Sequence, residues 1–141
     1  MYLYGCSVGG IVSSQYIIND NENTPYSGMV AYGSAFAIDE TQKGFMSRLW
    51  GAYDWGIGRG VNTRLRKILP DLAKHTSKEQ MEIYNDAVYN KFQGITTIHQ
   101  HMVVPMYGYK DMWDYYRQVR IAGKLHKIKR CPTMYLQSWD D

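Results

Sequence analysis

The segment Gly5-Cys6-Ser7-Val8-Gly9-Gly10 constrains this chain more than any other. It lies between an apolar run (Met1, Tyr2, Leu3, Tyr4) and a helix-like stretch from Ile11 to Ile18. Gly-x-Ser-x-Gly alone arises by chance in many glycine-rich loops. The order of strand, sharp turn and helix around it is what the nucleophile-elbow motif requires. In that geometry the serine occupies a strained turn that lifts its hydroxyl above the sheet edge. Glycines at Gly5 and Gly9 are expected to let neighbouring backbone pass without a Cβ clash. The Val8 amide is then left pointing at a developing oxyanion. The bland alternative is an ordinary glycine-rich turn; the flanking strand and helix favour a nucleophilic Ser7.

The apolar pattern predicts a strand over 1–4 and a helix over 9–19, where Ile11, Val12, Gln15, Tyr16 and Ile18 give a rough three-to-four period. Asn19 to Pro25 is a polar turn cluster, and 28–36 reads as a second buried strand. A strand–helix–strand unit with short connections implies parallel pairing. Asp39 is placed to cap a helix reaching Trp50. Trp55-Gly56-Ile57-Gly58-Arg59-Gly60 reads as a glycine-rich break, and it lacks the Gly-Lys-Ser/Thr ending of a phosphate loop. Asn62 to Leu69 looks helical until Pro70. Ser77 is a predicted N-cap with Gln80 at N3, its helix running through Phe92 until Gly94 stops it. Asp111 is expected to cap a helix to about Ala122, and 132–137 to form a third short strand. The expected fold class is therefore α/β: a single domain over 1–141 with a helical, cap-like insert at about 39–105.

Bulk properties exclude more than they assign. With 141 residues there is room for one domain, and no apolar run reaches the length of a membrane span. A net charge of +3 gives no argument for nucleic acid. Arg117, Arg120, Lys124, Lys127, Lys129 and Arg130 nevertheless cluster without an acid among them. They read as a solvated face or, more sharply, as a patch meeting a membrane surface. Cys6 and Cys131 make no disulfide framework, and Cys6 is expected to be buried behind the elbow. His99 and His101 have metal-ligand character but no evident third partner, so they read as loop residues. No cofactor and no metal are expected.

A serine hydroxyl needs a histidine base and an acid that orients it, in the chain order serine, acid, histidine on this architecture. Met134 to Asp141 has the form of an apolar strand ending in paired aspartates, at the end of a parallel sheet where catalytic groups gather. Three segments then resemble the AB hydrolase family 4 group of the α/β-hydrolases. They are Gly5-Cys6-Ser7-Val8-Gly9-Gly10, Met106-Tyr107-Gly108-Tyr109 with Asp114-Tyr115-Tyr116, and Cys131-Pro132-Thr133 through Trp139-Asp140-Asp141. That group includes membrane-associated phospholipases, acylglycerol lipases and ester-forming acyltransferases. The resemblance implies a partial α/β-hydrolase fold, with Ser7 as nucleophile, the Val8 amide as an oxyanion donor, and an aspartate of the final pair as triad acid. Asp141 is the choice, lying three residues after the small Ser138. The chain departs from the family at Ile98-His99, where Phe-Asp is usual, and near Val103, where a threonine is usual.

All four histidines (His75, His99, His101, His126) precede Asp141, so the base is expected beyond it and the chain reads as an internal piece of a longer protein. Three parallel strands alone would leave the elbow strand and the last strand as unpaired edges, which predicts poor stability and no turnover for the piece by itself. The resemblance implies a lipid or small ester as substrate. The alternatives are an alcohol O-acyltransferase, an inert fragment or binding module, and a peptidase of the prolyl-oligopeptidase type.

Overall fold

Tyr2, Leu3, Tyr4, Gly5 and Cys6 place successive side chains on opposite faces of a strand, β1 (Tyr2–Cys6). Helix α1 (Val8–Asn19) follows it directly, and β2 (Gly28–Tyr32) returns parallel to β1, with Leu3 opposite Met29 and Gly5 opposite Ala31. A third strand, β3 (Thr133–Leu136), adds parallel to the other side of β2, giving the order β1-β2-β3. The computed structural model describes residues 1–20 and 22–137. The architecture is α/β, as the alternation predicted. The elbow strand and β3 are the edges of the described sheet.

The chain divides into two units, Met1–Asp39 with Arg117–Asp141, and Glu40–Tyr116. In the first, α1 buries Gly10, Ser14 and Ile17 against the sheet face carrying Leu3, Met29, Ala31 and Tyr135. Ser14 spans this interface, donating to the Gly10 carbonyl at 2.6 Å and sharing a 3.0 Å hydrogen bond with the Tyr135 hydroxyl. The opposite sheet face carries Tyr2, Tyr4, Cys6, Tyr32, Met134 and Leu136, all exposed. Cys6 is thus at the surface, not buried behind the elbow, because α1 covers only the odd-numbered face of β1. Of the basic run, Arg120 grips both oxygens of Asp39 at 2.9–3.0 Å, and Lys124 donates to the Gln118 carbonyl at 2.8 Å. Those two cations are therefore committed to holding this unit's own chain.

The second unit is helical: α2 (Ile38–Ser47, which begins in the first unit), α3 (Ala52–Leu72), α4 (Lys78–Asn85), α5 (Ile95–Ile98), α6 (Val104–Tyr107) and the start of α7 (Met112–Val119). Two expected capping residues are present. The Ser77 hydroxyl accepts from the Gln80 amide at 3.2 Å, and the Asp111 carboxylate from the Asp114 amide at 2.7 Å. The helix after Ser77 is α4 followed by a π-type turn at Asp86–Asn90, and the helix after Asp111 ends at Val119.

The glycine-rich break at 55–60 does not exist; all six residues lie inside α3. Gly58 explains why. A Cβ there would strike the backbone of Gly94 and Ile95, so a bare helix surface admits the start of α5. Gly56 and Gly60 have nothing within 4 Å and are simply tolerated, at about 1 kcal/mol each relative to alanine. Pro70 also sits inside α3, within its last turn, where only one hydrogen bond is forfeited. The buried Asp54 carboxylate ties three helices together. It accepts from Gln42 Nε2 on α2 at 2.6 Å, and from the Thr96 amide and hydroxyl on α5 at 3.2 and 2.8 Å.

His99 is a half-buried residue of the helical unit rather than a solvated loop residue. It opens a π-type turn, His99–Val103, and its Nδ1 shares a 2.6 Å hydrogen bond with the hydroxyl of the fully buried Tyr116. Tyr115 and Tyr116 both pack edge-on to the ring. Loss of solvation pushes its pKa down from 6.5 to about 4, against the weak opposing pull of Asp54. The folded state therefore favours neutral His99. Its contribution is complete above pH 6.5 and is lost as pH falls from 6.5 through about 4, on the order of 3 kcal/mol in all. Thermal melts between pH 7 and 4 should show this fall in the wild-type chain, and His99→Phe should flatten that part of the profile.

Candidate active site

Strand β1 ends, and α1 begins, within two residues, and Ser7 absorbs the change of direction. Its amide still belongs to the sheet, donating to the Tyr32 carbonyl at 2.9 Å. Its carbonyl already belongs to the helix, accepting from the Gly10 amide at 3.0 Å. Satisfying both forces Ser7 to φ 53° and ψ −123°, a left-handed conformation that L residues rarely adopt. Among the described residues, Leu49 and Trp50 are the other non-glycine positions with positive φ.

The tightness of this turn depends on two glycines, and one is not the glycine the motif suggested. A Cβ on Gly5 would lie 2.6 Å from the Gly10 Cα and the Gly9 carbonyl oxygen, backbone that cannot move aside. Gly9 has nothing within 4 Å of its would-be Cβ, so the expectation that Gly9 admits close backbone is corrected. Gly10 has that role instead: a Cβ there would collide with the Ser34 hydroxyl and Cβ, and crowd Ala31. The second close approach is therefore between α1 and the chain just past β2. Ser34, 1% exposed, donates to the Tyr32 carbonyl at 3.4 Å, the same oxygen that receives the Ser7 amide.

Ser7 itself is exposed, and its side chain makes no capping bond to α1. The hydroxyl is thus not consumed as an N-cap, the usual task of a serine at that position. Val8 is the first residue of α1, so its amide has no acceptor within the helix and lies at the positive end of the helix dipole.

The carboxyl ends of the three strands share one edge, with Cys6 level with Tyr32 and Tyr32 level with Leu136. The last residues of β1 and β3, Cys6 and Leu136, therefore lie at that edge about 10 Å apart, two strand spacings. Past β3, Gln137 donates through Nε2 to the carbonyl of Ser34, in the loop after β2. The paired aspartates, including Asp141 as the expected acid, lie outside the described residues. Of the histidines, His99 is committed to Tyr116 within the helical unit, while His75 and His126 are exposed.

Comparison with known proteins agrees with this architecture. The chain is 28% identical over 144 residues to protein abhd-3.2 of Caenorhabditis elegans, covering 97% of this chain and 34% of that protein. It is 25% identical over 150 residues to a monoacylglycerol lipase of Saccharomyces cerevisiae, covering 99% and 31% respectively. The chain thus spans about a third of the length of the curated relatives it matches. No family model matches it. No solved structure matches it. Both relatives are distant and both point to the α/β-hydrolase superfamily, of whose fold this chain carries a part.

The strain at Ser7 has a measurable consequence. Glycine adopts its φ and ψ freely, so Ser7→Gly should be more stable than Ser7→Ala by about 1 kcal/mol. Denaturant midpoints of the two variants check this, and an ordinary relaxed turn would give the reverse order.

Proposed function

We propose that this chain carries the nucleophile of a serine hydrolase that cleaves carboxylic esters, of lipids in particular, through an acyl-enzyme. The observation that supports this best is the conformation of Ser7. It is an exposed serine held at positive φ between a parallel strand and a helix, with its hydroxyl making no cap. Strain of this kind collects where a side chain has a task other than stability. Ser7 attacks the ester carbonyl and its proton passes to a histidine base. The carbonyl oxygen becomes an oxyanion facing the Val8 amide, and the alcohol leaves with the proton from the histidine. Water then repeats the sequence on the acyl-serine.

In this reading Asp141 orients the base, and the base is a histidine following Asp141, in keeping with the order serine, acid, histidine. The helical insert at about 39–105 is the cap-like segment of the hydrolase. The uncovered sheet face of Tyr2, Tyr4, Tyr32, Met134 and Leu136 fits the same picture, because parallel sheets are ordinarily covered on both faces. A relative named as a monoacylglycerol lipase supports a lipid ester as the substrate class. An alcohol O-acyltransferase would use the same Ser7 chemistry with an alcohol in place of the deacylating water.

Labelling of the full-length protein with a fluorophosphonate tests this. The wild type should take up one equivalent, Ser7→Ala none, and Cys6→Ala one. Labelling that persists in Ser7→Ala removes Ser7 as the nucleophile and with it the proposal.

A further inference from the structure

Between α2 and α3 the backbone takes a course found nowhere else among the described residues. Leu49 and Trp50 have φ of 47° and 52°, and Gly51 follows at 82°, three successive residues in the left-handed region. Only glycine visits that region readily, so two large side chains are held there against their preference. The result is that Trp50 is 100% exposed and Leu49 65%. Folding gains nothing from pushing an indole wholly into water, and backbone strain of this kind is characteristic of functional segments.

The surroundings identify what such a tip suits. Leu49, Trp50 and Trp55 border an open cleft of about 540 Å³ within the helical unit. Trp55 also borders a second cleft, of about 530 Å³, whose wall carries Arg59, Arg66 and Lys67. The Arg59 guanidinium lies 5.0 Å from the Trp55 ring centre, so cation and aromatic form one surface. Asn62, 5% exposed, lines the same basic cleft with its carboxamide oxygen lacking a hydrogen-bond partner among the described residues.

Charge separates a lipid surface from other occupants. Between residues 44 and 70 stand Arg48, Arg59, Arg64, Arg66 and Lys67 against a single acid, Asp54, while Lys43 is paired with Glu40 at 3.2 Å. Asp54 is buried and saturated by Gln42 and Thr96, so it offers the surface little negative charge. An apolar tip carrying tryptophan, bordered by cations with no exposed acid in the same stretch, matches the boundary between acyl chains and anionic headgroups. No helix among the described residues is long and apolar enough to cross a membrane.

We propose that the Leu49–Trp50 knuckle and the Arg59–Arg66–Lys67 cleft beside it form a docking surface for an anionic lipid bilayer. The two apolar side chains enter at headgroup level and the guanidinium groups pair with lipid phosphates. This goes beyond the hydrolase reading and does not rest on it, since partition onto a bilayer requires no turnover.

Co-sedimentation of the full chain with phosphatidylcholine vesicles, with and without phosphatidylserine, tests the surface. Binding should rise with phosphatidylserine and fall with added salt. The double variant L49A/W50A should bind about tenfold more weakly or worse, and R59Q/K67Q should lose the response to phosphatidylserine. Trp50→Gly separates docking from folding. It relieves the positive φ, so its melting temperature should hold or rise while vesicle binding falls. Tyr107→Ala, which removes a 74% exposed aromatic outside the patch, should bind like the wild type. Failure of the wild type to bind phosphatidylserine vesicles, or wild-type binding by Trp50→Gly, overturns the proposal. So does a change in the sedimentation of vesicle-free protein on Trp50→Gly, which would assign the knuckle to contact between copies. Either result leaves fluorophosphonate labelling at Ser7 untouched.

Discussion

Backbone meets backbone where the first turn of α1 crosses the end of β1, and the arrangement of the candidate site follows from that contact. Gly5 lies against Gly9 and Gly10 with no room for a side chain, and Gly10 lies against Ser34. Once those surfaces touch, a single residue must connect a sheet hydrogen bond on its amide with a helix hydrogen bond on its carbonyl. Only a positive φ achieves this, and Ser7 is the residue that bears it. The same geometry exposes the Ser7 side chain and puts the Val8 amide at the dipole-positive helix end. The hydrolase proposal needs these features together, and one steric constraint supplies them all.

The helical unit buries apolar side chains such as Leu69, Val88, Ile98 and Val104, and adds buried polar anchors to them. Asp54 gathers α2, α3 and α5 with hydrogen bonds from Gln42 and Thr96, and His99 shares another with Tyr116. Hydrogen bonds to a buried charge contribute about 1.5–3 kcal/mol apiece, more than neutral ones. Polar anchoring of this kind fixes the helices while leaving large apolar side chains, Trp50 above all, for the surface.

Local patterns in the sequence foretold local structure. The strand–turn–helix at Ser7, the short apolar runs of the three strands, and the caps at Ser77 and Asp111 depend on residues close in sequence, and all are present. What the sequence hid depends on contacts distant along the chain. The continuity of α3 through three glycines rests on Gly58 meeting Gly94 and Ile95, more than thirty residues away. Gly10 rather than Gly9 is the crowded glycine because of Ser34. Cys6 is exposed because α1 takes the other face of β1, a choice that alternation cannot reveal. His99 is half-buried because tyrosines from α7 pack against its ring, which no pattern near residue 99 announces. The paired aspartates, which the sequence offers as the triad acid, fall outside the described residues.

The most direct measurement of the central claim is a crystal structure of the full-length protein after reaction with a phosphonate ester. The expected structure has a covalent bond from Ser7 Oγ to phosphorus, with one phosphonyl oxygen about 2.7–3.1 Å from the Val8 amide nitrogen. Phosphorus on another residue, or an adduct at Ser7 whose oxygens all face water, would contradict it.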